Sequence, residues 1–208
     1  MPYRALAAAA ALVLCAGAIV LGLTLPVGGG IIKGSPTVLV TVLGGHGSGV
    51  VLPGGYVLTA AHVVKVSPDK IMISTDRGQD TADVEVLWIS VETDIALLKI
   101  KDAEFVENVG SADLSCEALA VGDDVRAEGN PFDMRFVSQW GKVGSLPQAI
   151  GHWPLAISIG APLAPGMSGG PVYDMDGRVV GINVGIGQVG GFYLAVPSTV
   201  ACDLMGRA

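Results

Sequence analysis

Ser168 stands in the segment APGMSGGPV of residues 164–172, with a glycine two positions before it and two glycines directly after it. Glycine permits backbone angles that a side chain would forbid, so the hydroxyl can sit on a tight turn that a substrate carbonyl can approach. The same turn lets the backbone N–H groups of Gly166 and Ser168 point outward together, as donors to a developing oxyanion. We therefore predict that Ser168 is a nucleophile and that Gly166, Met167 and Ser168 form an oxyanion hole.

A serine is a weak nucleophile by itself and needs both a base and a group that orients the base. His62 follows Thr-Ala-Ala, and Asp94 opens the apolar run DIALL. His62 can act as general base and then as general acid, and a carboxylate at the edge of a buried strand can hold the imidazole tautomer. Each residue also has a non-catalytic interpretation. His62 can be a structural histidine, Asp94 can cap a strand, and Ser168 can belong to a glycine-rich turn. The order His62, Asp94, Ser168 favours a chymotrypsin-type catalytic triad instead.

The chain around this triad resembles the trypsin-fold serine proteases, and is most like their HtrA/Deg branch. The resemblance runs from about residue 36 to residue 199. Beyond the triad it rests on GSGVV at 47–51, VGDDV at 121–125, GNPF at 129–132, DGRVVGIN at 176–183 and GFYLAVPS at 191–198. It implies an all-β fold of two six-stranded antiparallel β-barrels, with the active site in the cleft between them. Met167 stands where HtrA-type enzymes usually have asparagine.

The spacing of β-rich runs and turn signals agrees with two lobes. About six short runs end near Lys101, residues 102–119 form a polar connection, and about six more runs follow. Two such sets suggest two small barrels or sandwiches. We expect a hydrophobic segment over residues 1–25, a flexible spacer over 26–35, and a protease domain over 36–208 with barrels at about 36–101 and 120–200. Many HtrA relatives carry a PDZ domain after the protease domain, and we expect none within these residues.

The pocket beside the serine is predicted to be apolar. Residues 155–172 hold no acidic residue, although a pocket for lysine or arginine would need a buried carboxylate. Leu163 lies on the loop before the serine, and the resemblance places a pocket wall at Ile186. Val184, Gly185 and Ile186 form the segment where an extended substrate strand would pair. We predict cleavage after small or medium aliphatic residues.

The N-terminal segment is strongly apolar. Residues 5–25 are 21 residues without a charge, preceded by Arg4, which is long enough for a helix that spans a bilayer. A cleaved signal peptide is the alternative, because Ala-Gly-Ala at 16–18 suits signal peptidase. Cleavage there would leave the apolar residues 19–23 exposed, so we favour an uncleaved membrane anchor. Arg4 favours a cytoplasmic N-terminus, which places the protease domain outside the cytoplasm; after cleavage the protein would be periplasmic or secreted.

Composition narrows the function classes. The net charge is −7, and all 19 acidic residues lie at or after Asp69, so an acidic chain without a basic cluster argues against nucleic-acid binding. Cys116 and Cys202 can form a disulfide or serve as small buried apolar residues. Metal-ligand spacing of histidine and cysteine is not visible, and we expect neither metal nor cofactor. The oligomeric state stays open.

Three functions fit these residues. The leading hypothesis is a serine endopeptidase that cleaves unfolded or extended polypeptides through an acyl-enzyme intermediate. The rival is a catalytically latent or inactive protease fold that serves as a binding module, which Met167 favours and an intact triad disfavours. An esterase would use the same residues, but the chain lacks the α/β pattern on which a Gly-x-Ser-x-Gly elbow is found.

Overall fold

The computed structural model describes residues 33–187 and 191–206. The predicted hydrophobic segment and most of the predicted spacer therefore lie outside the described residues. Within those residues, no helix is both long enough and apolar enough to cross a membrane.

Residues 37–100 form an antiparallel sheet in the order β5-β4-β1-β2-β3-β7-β6. Its strands are β1 (Thr37–Val42), β2 (Gly45–Leu52), β3 (Tyr56–Ala60), β4 (Met72–Ser74), β5 (Asp80–Thr81), β6 (Val84–Ser90) and β7 (Ile95–Ile100). The central strands are the most apolar; five of the six residues of β7 are buried, because it lies between β3 and β6 and packs against the core. A short helix, α1 (Ala61–Val64), follows β3.

Residues 124–197 form a second antiparallel sheet in the order β10-β11-β14-β13-β12-β8-β9. Its strands are β8 (Asp124–Gly129), β9 (Val137–Lys142), β10 (Gln148–Ile150), β11 (Trp153–Ile159), β12 (Pro171–Tyr173), β13 (Val179–Ile186) and β14 (Tyr193–Pro197). The connection between the sheets contains helix α2 (Ala103–Asn108), and helix α3 (Ser198–Met205) follows β14.

Each sheet therefore has seven strands among the described residues, where the sequence predicted six. In the first sheet, the additional strand is the two-residue β5, which pairs with β4. In the second, the additional strand is the three-residue β10, which pairs with β11. β9 ends at Lys142, where the chain passes close to the end of β11. A Cβ on Gly141 would lie 2.2 Å from the backbone nitrogen of Ala161, and Gly144 N–H donates to the Ser158 carbonyl at 2.8 Å.

Two apolar clusters fill the molecule. One is built on the first sheet and continues across to residues of β12, β13, β14 and α3, and the other lies within the second sheet. The two sheets thus share a core, which holds them on either side of one cleft. The cysteines that the sequence left open form a disulfide between Cys116 and Cys202, with their Cα atoms 5.9 Å apart.

Candidate active site

Asp94 and His62 form a doubly hydrogen-bonded pair. The Nδ1 atom of His62 lies 2.8 Å from Oδ2 of Asp94, and the backbone N–H of His62 donates to Oδ1 at 2.9 Å. Asp94 is 4% exposed and lies in the turn between β6 and β7 with φ at 60°, a left-handed conformation that aspartate tolerates better than most residues. The carboxylate therefore orients both the backbone and the ring of His62.

The pairing of β3 with β7 brings these two residues together. Ala60, at the end of β3, lies opposite Ile95, at the start of β7. His62 is the second residue of α1, two residues beyond the end of β3, and Asp94 directly precedes β7. The Ala61 N–H also donates to the Asp94 carbonyl at 3.0 Å, so the contact between the two segments continues beyond the sheet.

Asp94 is held in its ionised form. Burial raises the pKa of its carboxyl group, but hydrogen bonds from His62 and Trp153 and the positive charge of the imidazolium outweigh burial, so the pKa lies below its usual value. The Trp153 indole Nε1–H donates to Oδ2 at 3.0 Å. An ionised carboxylate accepts from Nδ1–H, which leaves Nε2 of His62 free to accept a proton.

Ser168 lies on the loop between β11 and β12, which the first sheet and β13 hold in place. The Ser168 carbonyl accepts from Ser48 N–H at 2.7 Å, and Gly169 N–H donates to the Asn183 carbonyl at 2.7 Å. Gly169 has φ at 84°, and a Cβ there would lie 2.2 Å from the Ser48 carbonyl oxygen. This approach explains why glycine must follow the serine.

The backbone around Ser168 presents two unpaired donors. The Pro165 carbonyl accepts from Phe132 N–H at 2.9 Å, and because a trans peptide points its C=O and N–H in opposite directions, Gly166 N–H faces away from Phe132. Within the described residues, neither Gly166 N–H nor Ser168 N–H has a hydrogen-bond acceptor. Met167 N–H, in contrast, donates to the Ala164 carbonyl at 3.0 Å.

The Met167 side chain is 2% exposed and belongs to the apolar core of the second sheet. Gly129 lies directly against it, since a Cβ on Gly129 would lie 2.8 Å from the Met167 Cα atom. Packing thus anchors the loop at the residue before Ser168, in the position where the resemblance leads one to expect asparagine.

Ser168 and His62 line the same cleft, together with His46 and Gly166. The cleft lies between the two sheets, as the sequence predicted for an active site. Ser168 is half-buried, and among the described residues its hydroxyl has no hydrogen-bond partner. Catalytic hydrogen bonds are often long before substrate binds, so this arrangement is compatible with a triad.

A second cavity, of about 230 Å³, opens directly beside Ser168. Its lining contains no charged side chain and consists of Leu163, Ala164, Pro165, Ser168, Gly185 and Ile186. Leu163, Gly185 and Ile186, which the sequence named as candidate substrate-binding residues, therefore lie together around this cavity. Val184 is 2% exposed and part of the core, so its side chain does not line this cavity.

Sequence reasoning missed three residues of this region. Trp153 contacts Asp94 from the second sheet, and no local pattern marks it. Ser48 lies in the recognised GSGVV segment, but its bonds to the serine loop depend on tertiary contact. His46 belongs to β2 and its Nε2 lies 3.0 Å from the Asn130 carbonyl oxygen; it has no motif around it to suggest a place in the cleft.

Comparison with known proteins agrees with this geometry. Residues 47–182 match the trypsin-like peptidase domain family, and the chain belongs to that family. The trypsin-type fold expected from the sequence is thereby confirmed.

Within the family the chain is similar to HtrA-type proteases, which confirms the branch named above. A probable periplasmic serine endoprotease, DegP-like, from Halomonas elongata is 33% identical over 165 residues, covering 76% of this chain and 34% of that protein. A protein of the same description from Brucella suis is 36% identical over 171 residues, covering 78% of this chain and 32% of that protein. The chain thus spans about a third of the length of these relatives.

The solved structure of the HtrA-type protease AlgW with a tripeptide matches 84% of this chain and 60% of that chain, with a TM-score of 0.74 and 26% identity.

Proposed function

We propose that this protein is a serine endopeptidase whose triad is His62, Asp94 and Ser168. The observation that carries the proposal is the placement of a carboxylate-bound histidine and a glycine-flanked serine in one cleft, beside two backbone N–H groups without acceptors. These are the parts that acyl transfer from a peptide bond requires.

The reaction would proceed in two steps. His62 Nε2 takes the proton from Ser168 Oγ as the oxygen attacks the scissile carbonyl carbon, and the N–H groups of Gly166 and Ser168 stabilise the oxyanion. The C–N bond then breaks, the imidazolium donates its proton to the leaving amine, and an acyl-enzyme remains. Water activated by His62 attacks this ester, and the proton returns to Ser168 Oγ as the acid product leaves.

The substrates we propose are unfolded or extended polypeptides with a small or medium aliphatic residue before the cut bond. The uncharged cavity beside Ser168 supports this size and chemistry. β12 pairs with β13 only as far as Ile182, so on that side residues 184–186 have no strand partner among the described residues. An extended peptide could add to that free edge.

We further propose that residues 5–25 anchor the protein in a membrane, with the peptidase domain outside the cytoplasm. The length of the uncharged run and Arg4 before it support this placement. The two relatives above are described as periplasmic. Fractionation of cells that express the full chain tests the proposal: membrane-bound protein of full length supports an anchor, and shortened soluble protein supports a cleaved signal peptide.

The deciding experiment is digestion of casein by the detergent-solubilised full chain, with Ser168→Ala as the matched control. We expect cleavage by the parent alone, with aliphatic residues before the cut sites when the products are sequenced. Binding of casein without cleavage by either protein would favour the latent binding module instead. Cleavage after lysine or arginine would contradict the apolar pocket.

A further inference from the structure

Trp153 makes a hydrogen bond to the acidic member of the proposed triad from the opposite sheet. Its Nε1–H donates to Oδ2 of Asp94 at 3.0 Å, across 59 residues of sequence. The same Oδ2 lies 2.8 Å from Nδ1 of His62. One carboxylate oxygen therefore receives two donors, one from each side of the cleft.

The indole ring is also packed against the proposed substrate segment. A Cβ on Gly185 would lie 2.8 Å from Cη2 of Trp153 and 3.2 Å from Cζ2, so the ring lies directly over this glycine. Gly185 lines the cavity beside Ser168. The His152 ring packs against the indole at an interplanar angle of 34°, with ring centroids 3.8 Å apart, and Trp153 is half-buried. These contacts restrict the direction in which Nε1–H can point.

The remaining contacts of Asp94 explain what the indole adds. Oδ1 accepts from the backbone N–H of His62, and the Asp94 carbonyl accepts from Ala61. Every one of these donors belongs to the first sheet or to α1. Among the described residues, Trp153 alone joins this carboxylate to the second sheet, which carries Ser168.

We infer that Trp153 is a positioning residue for catalysis: its indole N–H orients Oδ2 of Asp94 and ties the Asp94–His62 pair to the sheet that carries the serine and the substrate segment. The inference rests on the proposed function for its kinetic consequence. A hydrogen bond to a charged acceptor is stronger than one between neutral groups, and here the donor keeps the carboxylate at the imidazole Nδ1–H. Among the described residues, the Trp153 side chain makes its hydrogen bond to Asp94 and none to Ser168 or Gly166, so we infer that its effect passes through Asp94.

Proton NMR of the Ser168→Ala protein tests the contact without any requirement for activity. A hydrogen bond of His62 Nδ1–H to a carboxylate gives a low-field proton signal, and we expect this signal to shift in Trp153→Phe. The control is Trp140→Phe, since Trp140 is 60% exposed and has no contact with Asp94. An unchanged low-field signal in Trp153→Phe would overturn the inference.

A second measurement keeps the test decisive if Trp153→Phe does not fold. In Asp94→Asn the indole ring stays in place but loses its charged acceptor, so the Nε1–H signal of Trp153 moves while those of Trp88 and Trp140 stay. Equal movement of all three signals, or of none, would contradict the hydrogen bond in solution.

Kinetics then separates positioning from packing. Trp153→Phe removes the indole N–H and also the Cζ2 and Cη2 atoms that lie over Gly185, and we expect it to lower kcat roughly tenfold. In the Asp94→Asn background the same substitution should lower kcat less than twofold, because the charged acceptor is already absent. An equal loss in both backgrounds would show that Trp153 acts by packing alone. If the parent cleaves nothing, the proposed function fails, and the NMR result still decides the contact.

Discussion

The two sheets hold their parts of the candidate site in different ways. In the first sheet, His62 and Asp94 follow and precede paired strands, β3 and β7, and their side chains bond directly to each other. In the second, Ser168 lies on an irregular loop that is held by backbone contacts with β2 and β13 and by the buried side chain of Met167. The first arrangement is made within one sheet except for the Trp153 hydrogen bond to Asp94, whereas the second depends on several contacts from both sheets.

Because of this difference, we expect substitutions in the Asp94–His62 pair and in the serine loop to have different effects on activity and stability. The Asp94–His62 pair depends on charge and on one carboxylate, so a change of one functional group should alter chemistry more than folding. The serine loop depends on a network of neutral hydrogen bonds around Ser48, so its disruption should alter folding and chemistry together. Four experiments separate these cases.

Asp94→Asn should have the largest effect, a fall in kcat/KM of about 10⁴, because an amide stabilises the wrong imidazole tautomer while it preserves the shape of the site. Peptide hydrolysis and a urea titration measure the two consequences separately. The matched control is Asp83→Asn, an exposed aspartate that should keep the parent rate. A loss of stability proportional to the loss of rate would remove the contrast between the sheets.

Removal of the disulfide by the double change Cys116→Ala and Cys202→Ala should come next, and should act on stability alone. The bridge closes a sequence separation of 86, for which the loop-entropy model gives about 4.6 kcal/mol. Urea unfolding with and without a reductant measures this contribution to the free energy of unfolding. The reductant should lower the free energy of unfolding of the parent but not that of the variant. Unequal kcat values for the folded proteins would indicate that the bridge also shapes the site.

Ser48→Ala tests the tether of the serine loop. The hydroxyl donates to the Gly166 carbonyl at 2.8 Å and accepts from the Asn130 N–H at 2.9 Å, and Ser48 is fully buried. Loss of both partners should lower the free energy of unfolding by about 3 kcal/mol, and kcat should fall as well because Gly166 supplies a proposed oxyanion donor. Ser138→Ala, at an exposed hydroxyl, is the control and should leave both quantities unchanged.

Tyr173 reports on the seam between the sheets, where its hydroxyl lies 3.0 Å from Oγ1 of Thr37. Burial raises the pKa of Tyr173 to about 12, although the Thr37 hydrogen bond and the charge of Arg126 lower it. The native state therefore keeps a proton that the unfolded state releases near pH 10, so stability falls as pH rises from 10 to 12. The loss should be about 2 to 3 kcal/mol.

Denaturant titrations at pH 9 and pH 12 measure this smallest effect. The free energy of unfolding should decrease less between the two pH values in Tyr173→Phe than in the parent. Tyr193→Phe provides a matched control at a tyrosine that is not fully buried. If the free energy of unfolding depends on pH in the same way in the parent and in Tyr173→Phe, Tyr173 ionises freely. The contact between the sheets at Tyr173 would then be less tightly packed than the structure indicates.

Much of the site could be predicted from local sequence. His62, Asp94 and Ser168 stand in short segments whose neighbours are specific to their proposed roles, and glycines flank Ser168 as a tight turn requires. The strands were predictable where apolar and β-branched residues are dense, as in β7. The end of β9 at Lys142 could not be predicted from local sequence, because the chain there passes against Ala161, which is distant in sequence.

Other features depend on which segments meet in space. Whether Cys116 and Cys202 pair, whether Met167 weakens or anchors the serine loop, and which residue joins Asp94 to the second sheet all required the tertiary structure. Sequence by itself determined which chemistry we propose for this protein, because the proposed nucleophile, base and orienting carboxylate each occur in a recognisable local pattern. Only the tertiary structure decided how these groups are held, since hydrogen bonds and packing across two sheets join residues that have no pattern in common.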